Sequence, residues 1–335
     1  MINDSRQVKL SNTELLRAAI LEKEDTKVGL SGRTGLSVAT CSTIIRSMLA
    51  SGEVLPSDGL SSTGGRPAQV YRYNPHYAHI LGLYVSNEAG INKIVCSTST
   101  CTADTILKTS SSPTTLDYGA IEAALDELIR KDRLIKAVGI GVPGIVRDGR
   151  VASCDVGALQ GLELKERIKK RFGVEAIVEN DMNITAYGYY QKFSHLLDSL
   201  AVVVLPKGNG PGSGIIIGGK ILRGHSGFAG EVHSLPDGYN ALFQDPEDEG
   251  HFLAALARML VTIIVMVNPQ RILLTGELLN AGMIQPLSLI CLGMMPSEHC
   301  PELLFQEDCS DEYLDGLRMK AHESLRYHYR LTSSL

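Results

Sequence analysis

The sequence predicts an α/β protein with two lobes, preceded by a small domain built mainly from helices. From residue 79 onward, short apolar strands alternate with helices, and two of the segments contain hairpins. A plain doubly wound sheet would need parallel crossovers throughout, so the hairpins indicate two lobes around a cleft. The first 78 residues have a different pattern, of three short helices followed by two strands.

The composition is that of an ordinary globular protein. The chain has 335 residues, of which 44% are apolar and 21% are charged, which excludes long disorder and a collagen-like chain. Its seven cysteines form neither a disulfide framework nor a zinc motif, and the polar start lacks the apolar core of a signal peptide. Residues 252–267 are apolar but contain Arg258, and they predict a buried helix because a membrane span needs about 20 residues. We therefore expect a cytoplasmic protein.

Charge is distributed unevenly along the chain. Residues 1–78 carry nine Lys and Arg against seven Asp and Glu, a net charge of +2, whereas the rest carries 23 against 30, a net charge of −7. An acidic body repels nucleic-acid phosphates. Any DNA contact is therefore expected in the first 78 residues.

The N-terminal pattern is typical of a winged helix-turn-helix. The spacing predicts helices over residues 10–22, 27–33 and 38–51, with Gly35 as a left-handed turn residue and Ser37 as an N-cap. The third helix has an apolar stripe, namely Ile44, Ile45, Met48 and Leu49. Strands predicted at residues 52–55 and 69–73 flank a loop that ends in Gly64-Gly65-Arg66-Pro67, which is the predicted wing.

Small polar side chains on the third helix would let it enter a major groove about 12 Å wide, and arginine binds guanine or phosphate. The predicted DNA-binding residues are Ser37, Thr40, Ser42, Thr43, Arg46 and Arg66. The alternative is a structural three-helix domain with a polar surface helix. The wing and the local positive charge favour DNA.

In the body, a polar cluster follows a predicted strand at residues 176–178. Glu179, Asn180, Asp181 and Asn183 are carboxylates and amides, the planar groups that bind adjacent sugar hydroxyls. The alternative is a helix cap in which Asn180 or Asp181 only satisfies backbone amides. Two hairpins are predicted nearby, with turns at Asp148-Gly149 and Gly218-Gly219.

Several ordered motifs resemble the ROK family of repressors and sugar kinases. They are the wing sequence above, Gly141-Val142-Pro143-Gly144, Asn180-Asp181-Met182-Asn183 and the run from Gly208 to Glu231. The resemblance implies an actin-like, ribonuclease-H-like body, with a first lobe at residues 79–190 completed by a C-terminal helix at 318–335, and a second lobe at 191–317. It also implies sugar contacts from Gly144, Asn180, Asp181, Glu231 and Ser234, with Asp181 matching the general base of the kinases.

The sequence departs from the family's kinases at three places. Tyr84 stands where their first phosphate loop has an Asp, which removes a carboxylate that would organise Mg²⁺. The family's His falls on Ser234, with His233 one residue early. Residues 237–250 contain no Cys, so the zinc loop is missing, and the trio His225, His233 and His251 is a weak substitute. We expect no catalysis, no metal and no cofactor.

Three hypotheses remain. The first is a sugar-responsive transcriptional regulator, most simply a repressor, that binds operator DNA as a homodimer or a dimer of dimers. The second is a ROK-type sugar kinase with an N-terminal appendage, which Tyr84 disfavours. The third is a degenerate regulator that no longer binds sugar.

Overall fold

The computed structural model describes residues 2–57, 68–88, 90–208, 210–236 and 248–332. The backbone contacts divide the chain into two compact units. The first contains residues 1–79, 99–106 and 326–335, and the second contains residues 80–98 and 107–325. The predicted wing loop, including Arg66, lies outside the described residues.

The first unit begins with three helices, α1 (Ile2–Glu22), α2 (Lys27–Thr34) and α3 (Val38–Ala50). Gly35 ends α2 in the left-handed conformation with φ of 71°, and the Ser37 hydroxyl caps α3 by accepting from the Thr40 amide. Three strands, β1 (Asp25–Thr26), β2 (Val54–Ser57) and β3 (Val70–Tyr73), form an antiparallel sheet in the order β1-β3-β2. The predicted helices and strands are all present in this unit, with shifted ends.

The core of this unit corrects the predicted stripe of α3. Leu49 is 37% exposed, whereas Cys41 is fully buried with Ile44, Ile45 and Met48. Cys41 lies one turn before Ile45 on the same face, and Leu49 is turned toward the edge of that face. A buried polar cluster of three side chains lies beside this core. The Arg17 guanidinium donates to the Glu53 carboxylate, and the Tyr73 hydroxyl donates to the same carboxylate at 3.1 Å.

The second unit contains two five-stranded sheets. The first sheet has the order β10-β7-β4-β5-β6 and the second the order β13-β12-β11-β14-β15. The strands of the first are β4 (His79–Glu88), β5 (Ile91–Thr100), β6 (Thr105–Ser111), β7 (Ile135–Val142) and β10 (Glu175–Asn180). Those of the second are β11 (Ser199–Val204), β12 (Gly212–Ile217), β13 (Lys220–Ile221), β14 (Arg271–Thr275) and β15 (Glu302–Phe305).

Six helices belong to the described part of the body: α4 (Tyr118–Lys131), α5 (Leu164–Phe172), α6 (Asp181–Phe193), α7 (Glu249–Val267), α8 (Ile284–Leu292) and α9 (Ser310–Thr332). α9 begins at Ser310 rather than at the predicted residue 318. α7 is long and apolar enough to cross a membrane by length and composition, and half of that stretch is buried in the fold. Its buried face packs in the core of the second sheet, as the sequence predicts for a core helix.

Both predicted hairpins form. The first has strands β8 (Val146–Arg147) and β9 (Arg150–Val151), with positive φ at Asp148 and Gly149. The second joins β12 and β13 through Gly218 and Gly219, which also have positive φ. Positive φ at both central residues gives the turn the twist that antiparallel strands need. The glycine run after β11 is only partly a turn, because β12 already begins at Gly212.

α9 packs against the first sheet at two glycines of β7, which have no side chain to hold the helix away. A Cβ added to Gly139 would lie 2.6 Å from the Leu317 carbonyl oxygen, and one added to Gly141 would lie 2.2 Å from the Tyr313 hydroxyl oxygen. Glycine at both positions therefore permits the close approach of the helix. This contact brings Tyr313 close to the polar cluster that follows β10.

Candidate functional site

The polar cluster lies at the junction between β10 and α6. Asn180 caps α6, because its Oδ1 accepts from the Asn183 amide at 2.8 Å, while its Nδ2 donates to the Gly144 carbonyl at 2.9 Å. Asn180 therefore acts as the helix cap that the sequence offered as an alternative. Its side-chain Nδ2 has two hydrogens, and the second one is left for a ligand. Gly144 itself has φ of 148°, and a Cβ there would lie 2.2 Å from the Ser153 carbonyl oxygen.

Asp181 is the partly buried carboxylate of this cluster, and one of its oxygens accepts from the Met182 amide at 2.9 Å. Burial raises the pKa of Asp181 to about 7, the Met182 amide lowers it, and the neighbouring carboxylates of Asp155 and Glu231 raise it further. Near neutral pH this carboxyl is thus divided between its two protonation states. It can donate a hydrogen bond in one state and accept in the other, which suits a hydroxyl ligand.

Glu231 comes from the second lobe and faces the same place. Burial raises its pKa, His233 lowers it and Asp155 raises it. The Glu231 Oε2 lies 3.2 Å from His233 Nδ1, so His233 holds the carboxylate although it stands one residue before the family's position. Ser234 is exposed at the end of the same 3₁₀ turn, and its backbone amide donates to the Glu231 carbonyl.

Three acidic side chains therefore converge, Asp155, Asp181 and Glu231. Asp155 was not predicted from the sequence, because it lies in a loop without any motif and only the fold brings it near Asp181 and Glu231. The ion pair between Arg223 and Glu179, in which the buried carboxylate accepts from the guanidinium, was not predicted either. Glu179 Oε1 also accepts from the Asn180 amide at 3.1 Å, so the pair fixes the start of α6.

Tyr84, which the resemblance described above places at the position of the kinases' Asp, is buried on β4. Its ring stacks on Tyr313 with a centroid distance of 4.5 Å and an interplanar angle of 14°. The Tyr313 hydroxyl has no hydrogen-bond partner within the described chain, and burial raises its pKa well above the usual value, with Asp181 raising it further. Two stacked aromatic rings thus lie beside the first sheet at the position of Tyr84.

Among the described residues, no group of three or more His, Cys, Asp or Glu side chains is arranged to hold a metal ion. His251 contacts Asp248, and His233 contacts Glu231. The trio of histidines that the sequence offered as a weak substitute for the zinc loop is not assembled in the described part of the body.

A second candidate surface lies on α3 of the first unit. Ser37, Thr43 and Arg46 are exposed, Thr40 and Ser42 are partly exposed, and the opposite face is buried. The Thr40 hydroxyl is 2.8 Å from that of Ser37, and the Thr43 hydroxyl donates to the Ala39 carbonyl. Arg46 has no ion pair within the described residues, so its guanidinium is available to a ligand.

Comparison with known proteins agrees with this architecture. The chain resembles a solved ROK family transcriptional regulator, a homolog of the E. coli MLC protein, with a TM-score of 0.72 at 17% identity, over 94% of this chain and 99% of that one. The body thus has the mixed α/β fold of the actin-like sugar kinases and repressors. The ROK family profile matches residues 84–245, so this chain contains a ROK family domain.

The chain is similar both to a repressor and to a kinase. The chain is 26% identical to the xylose repressor of Bacillus subtilis over 246 residues, which covers 71% of this chain and 64% of the repressor. It is 37% identical to the glucokinase of Streptomyces coelicolor over 141 residues, which covers 40% of this chain and 44% of that enzyme. The chain therefore spans about half to two thirds of these relatives, and the shorter match is the one to an enzyme.

Proposed function

We propose that this protein is a sugar-responsive transcriptional regulator, acting as a repressor in the cytoplasm. The observation that carries the proposal is the pairing of an N-terminal three-helix unit with a ROK body. Its third helix has a polar exposed face and an apolar buried one. The similarity to a xylose repressor over 71% of the chain supports the same conclusion. The first unit acts as the winged-helix DNA reader.

The proposed DNA contacts lie on α3. Ser37, Thr40 and Thr43 follow one another at three-residue spacing from the N-terminus of the helix, the end that enters the major groove in helix-turn-helix proteins. Arg46, one turn further, is placed for a phosphate or a guanine edge. Arg66 contributes from the proposed wing.

The proposed effector site is the cluster of Asp181, Glu231 and the remaining amide hydrogen of Asn180, with Gly144 and Ser234 at its edges. A sugar presents vicinal hydroxyls that both donate and accept, and the raised pKa values of the two carboxyls suit both roles. The sugar contacts both lobes and favours their closed arrangement by its differential affinity. The closed body then changes the affinity for DNA.

Phosphorylation of the sugar is not expected. Phosphoryl transfer requires a base on the accepting hydroxyl and a metal-organised nucleotide at the same time. Asp181 supplies a base, but Tyr84 takes the position of the Asp that would organise the metal ion of the nucleotide, and its ring stacks on Tyr313. Loss of one group that stabilises a transition state lowers the reaction rate by a factor of about 10²–10³.

The kinase alternative is tested by incubating the full chain with ATP, Mg²⁺ and a panel of hexoses, pentoses and acetylated aminosugars, with S. coelicolor glucokinase as the positive control. We expect no ADP formation above background from this chain. The same preparation should retard DNA from upstream of its own gene, and one sugar should change that retardation. Turnover comparable to the glucokinase would overturn the regulator in favour of the kinase.

We expect the regulator to act as a homodimer or a dimer of dimers, because one helix-turn-helix buries too little surface to select a single genomic site. Exposed apolar side chains on the second lobe suit such an interface, among them Val265 and Met266 of α7 and Leu289 of α8. Light scattering at micromolar concentration should give at least twice the chain mass of 36.2 kDa. A monomer both free and on DNA would contradict this.

A further inference from the structure

A pocket separate from the carboxylate cluster opens beside the first hairpin of the body. It has a volume of about 510 Å³, within the range of small-molecule sites. Its charged lining residues are Arg147, Asp148, Lys165, Glu179, Arg223 and Lys320. Four cations thus face two acids, a net charge of +2 in a body whose own net charge is −7. The lining of the pocket is therefore positively charged, although the body as a whole is acidic.

Two of these cations have no counter-ion among the residues that the structure describes. Arg223 binds Glu179, and Lys320 Nζ binds Glu323 at 2.9 Å and lies 3.9 Å from the centroid of the Tyr187 ring. Arg147 and Lys165, in contrast, make no side-chain ion pair or hydrogen bond within the described residues. Two unpaired positive charges in one concave site repel each other, and an anion between them removes that repulsion.

The fold holds these two elements together. The Lys165 amide donates to the Gly149 carbonyl at 3.1 Å, which joins the start of α5 to the hairpin turn. Gly149 has φ of 85°, and a Cβ there would lie 2.5 Å from the Lys165 Cβ. The bare turn therefore allows the stem of Lys165 to pack directly on the hairpin that carries Arg147.

We propose that this pocket binds the phosphate group of a phosphorylated small molecule. A guanidinium offers a planar fork of donors and an ammonium a point charge, and a phosphate monoester accepts from both. The volume leaves room for more than the phosphate alone. Glu179, which lines the pocket, also accepts from the Asn180 amide, so the pocket adjoins the proposed sugar site. The phosphate belongs either to the effector sugar itself or to a separate anion.

Calorimetry on the full chain tests the proposal, with inorganic phosphate, glucose 6-phosphate and glucose as probes. The variant Arg147→Gln/Lys165→Gln removes both unpaired cations. Its matched control, Arg150→Gln/Lys170→Gln, removes the same charge from the same hairpin and the same helix outside the pocket lining. We expect saturable binding of a phosphate probe that weakens at least tenfold in the first variant and stays unchanged in the control. Thermal denaturation of both variants checks that they are folded.

The outcomes separate the two sources of the phosphate. Glucose 6-phosphate binding at least tenfold tighter than inorganic phosphate means one ligand that spans both sites, and equal affinities mean a separate anion. No saturable binding of either phosphate, or equal weakening in both double variants, overturns the proposal. The proposed regulator function fails by a different result, which is the absence of DNA retardation by the wild-type chain whatever its affinity for phosphate.

Discussion

The double variant Thr40→Glu/Thr43→Glu is expected to lose specific DNA binding. Each substitution sets a carboxylate against base edges or phosphates on the exposed face of α3. An unfavourable contact at one position of a specific site costs about 1–3 kcal/mol, so the pair weakens binding roughly 30-fold or more. A gel shift with DNA from upstream of the gene, against unrelated competitor DNA, measures the loss.

The fold of this variant should be preserved. Residue 40 is the third position after the Ser37 cap, where a Glu forms a capping box and interacts favourably with the start of the helix. Residue 43 is exposed. Loss of binding with an unchanged melting temperature is therefore assigned to the surface of α3 and not to unfolding.

A control for charge alone is Ser110→Glu/Ser111→Glu, on the exposed strand β6. It adds the same two charges to the chain and should leave the retardation as in the wild type. Retardation by the Thr40→Glu/Thr43→Glu variant at wild-type protein concentrations would remove α3 as the DNA-reading element.

Asp181→Asn should weaken the sugar response and stabilise the protein at the same time. The carboxyl pKa is about 7 in the folded chain and about 4 in the unfolded chain. A carboxyl with a raised pKa destabilises the folded state once the unfolded state ionises, so the wild type loses stability as the pH rises from about 4 to about 7. The Asn variant has no such group. Its gain in melting temperature should be larger at pH 8 than at pH 5.

The same substitution removes an acceptor for a sugar hydroxyl. A hydrogen bond to a charged group contributes about 1.5–3 kcal/mol, so sugar affinity should fall at least tenfold, while sugar-free DNA binding stays intact. Asp198→Asn is the control, because Asp198 is an exposed carboxylate outside the cluster. A variant that keeps the full sugar response would exclude Asp181 from the effector site.

Some features of the fold could not be predicted from patterns in the sequence. Strand β6 was not predicted, because every residue of this strand is exposed and the sequence has no alternation. β5 continues to Thr100 although its last residues are polar, since the side chains of Thr98, Ser99 and Thr100 are themselves buried. Periodicity detects apolar faces, and it fails where a strand is exposed throughout or buries hydroxyls.

The candidate site was predicted in part. The motif after β10 and Glu231 were identified as polar groups, but the sequence did not indicate that Asp155 raises the pKa of both carboxyls or that His233 contacts Glu231. These are contacts between segments far apart in the chain. A single sequence without a motif at Asp155 carries no signal for them.

Local chemistry determined much of this protein by itself. Features that depend on residues close in the chain could be predicted from the sequence. They are the Ser37 cap, the left-handed Gly35, the turns at Asp148-Gly149 and Gly218-Gly219, and the alternation of strands and helices. Only the tertiary structure decided what packs against Tyr84, the residue that the sequence places at the phosphate-loop position. Tyr84 stacks on Tyr313, which reaches it because Gly139 and Gly141 let α9 approach the sheet. Arg147 and Lys165 likewise line one pocket only because a hairpin turn packs on a helix. Such pairs are set by packing across the fold, and no local pattern records them.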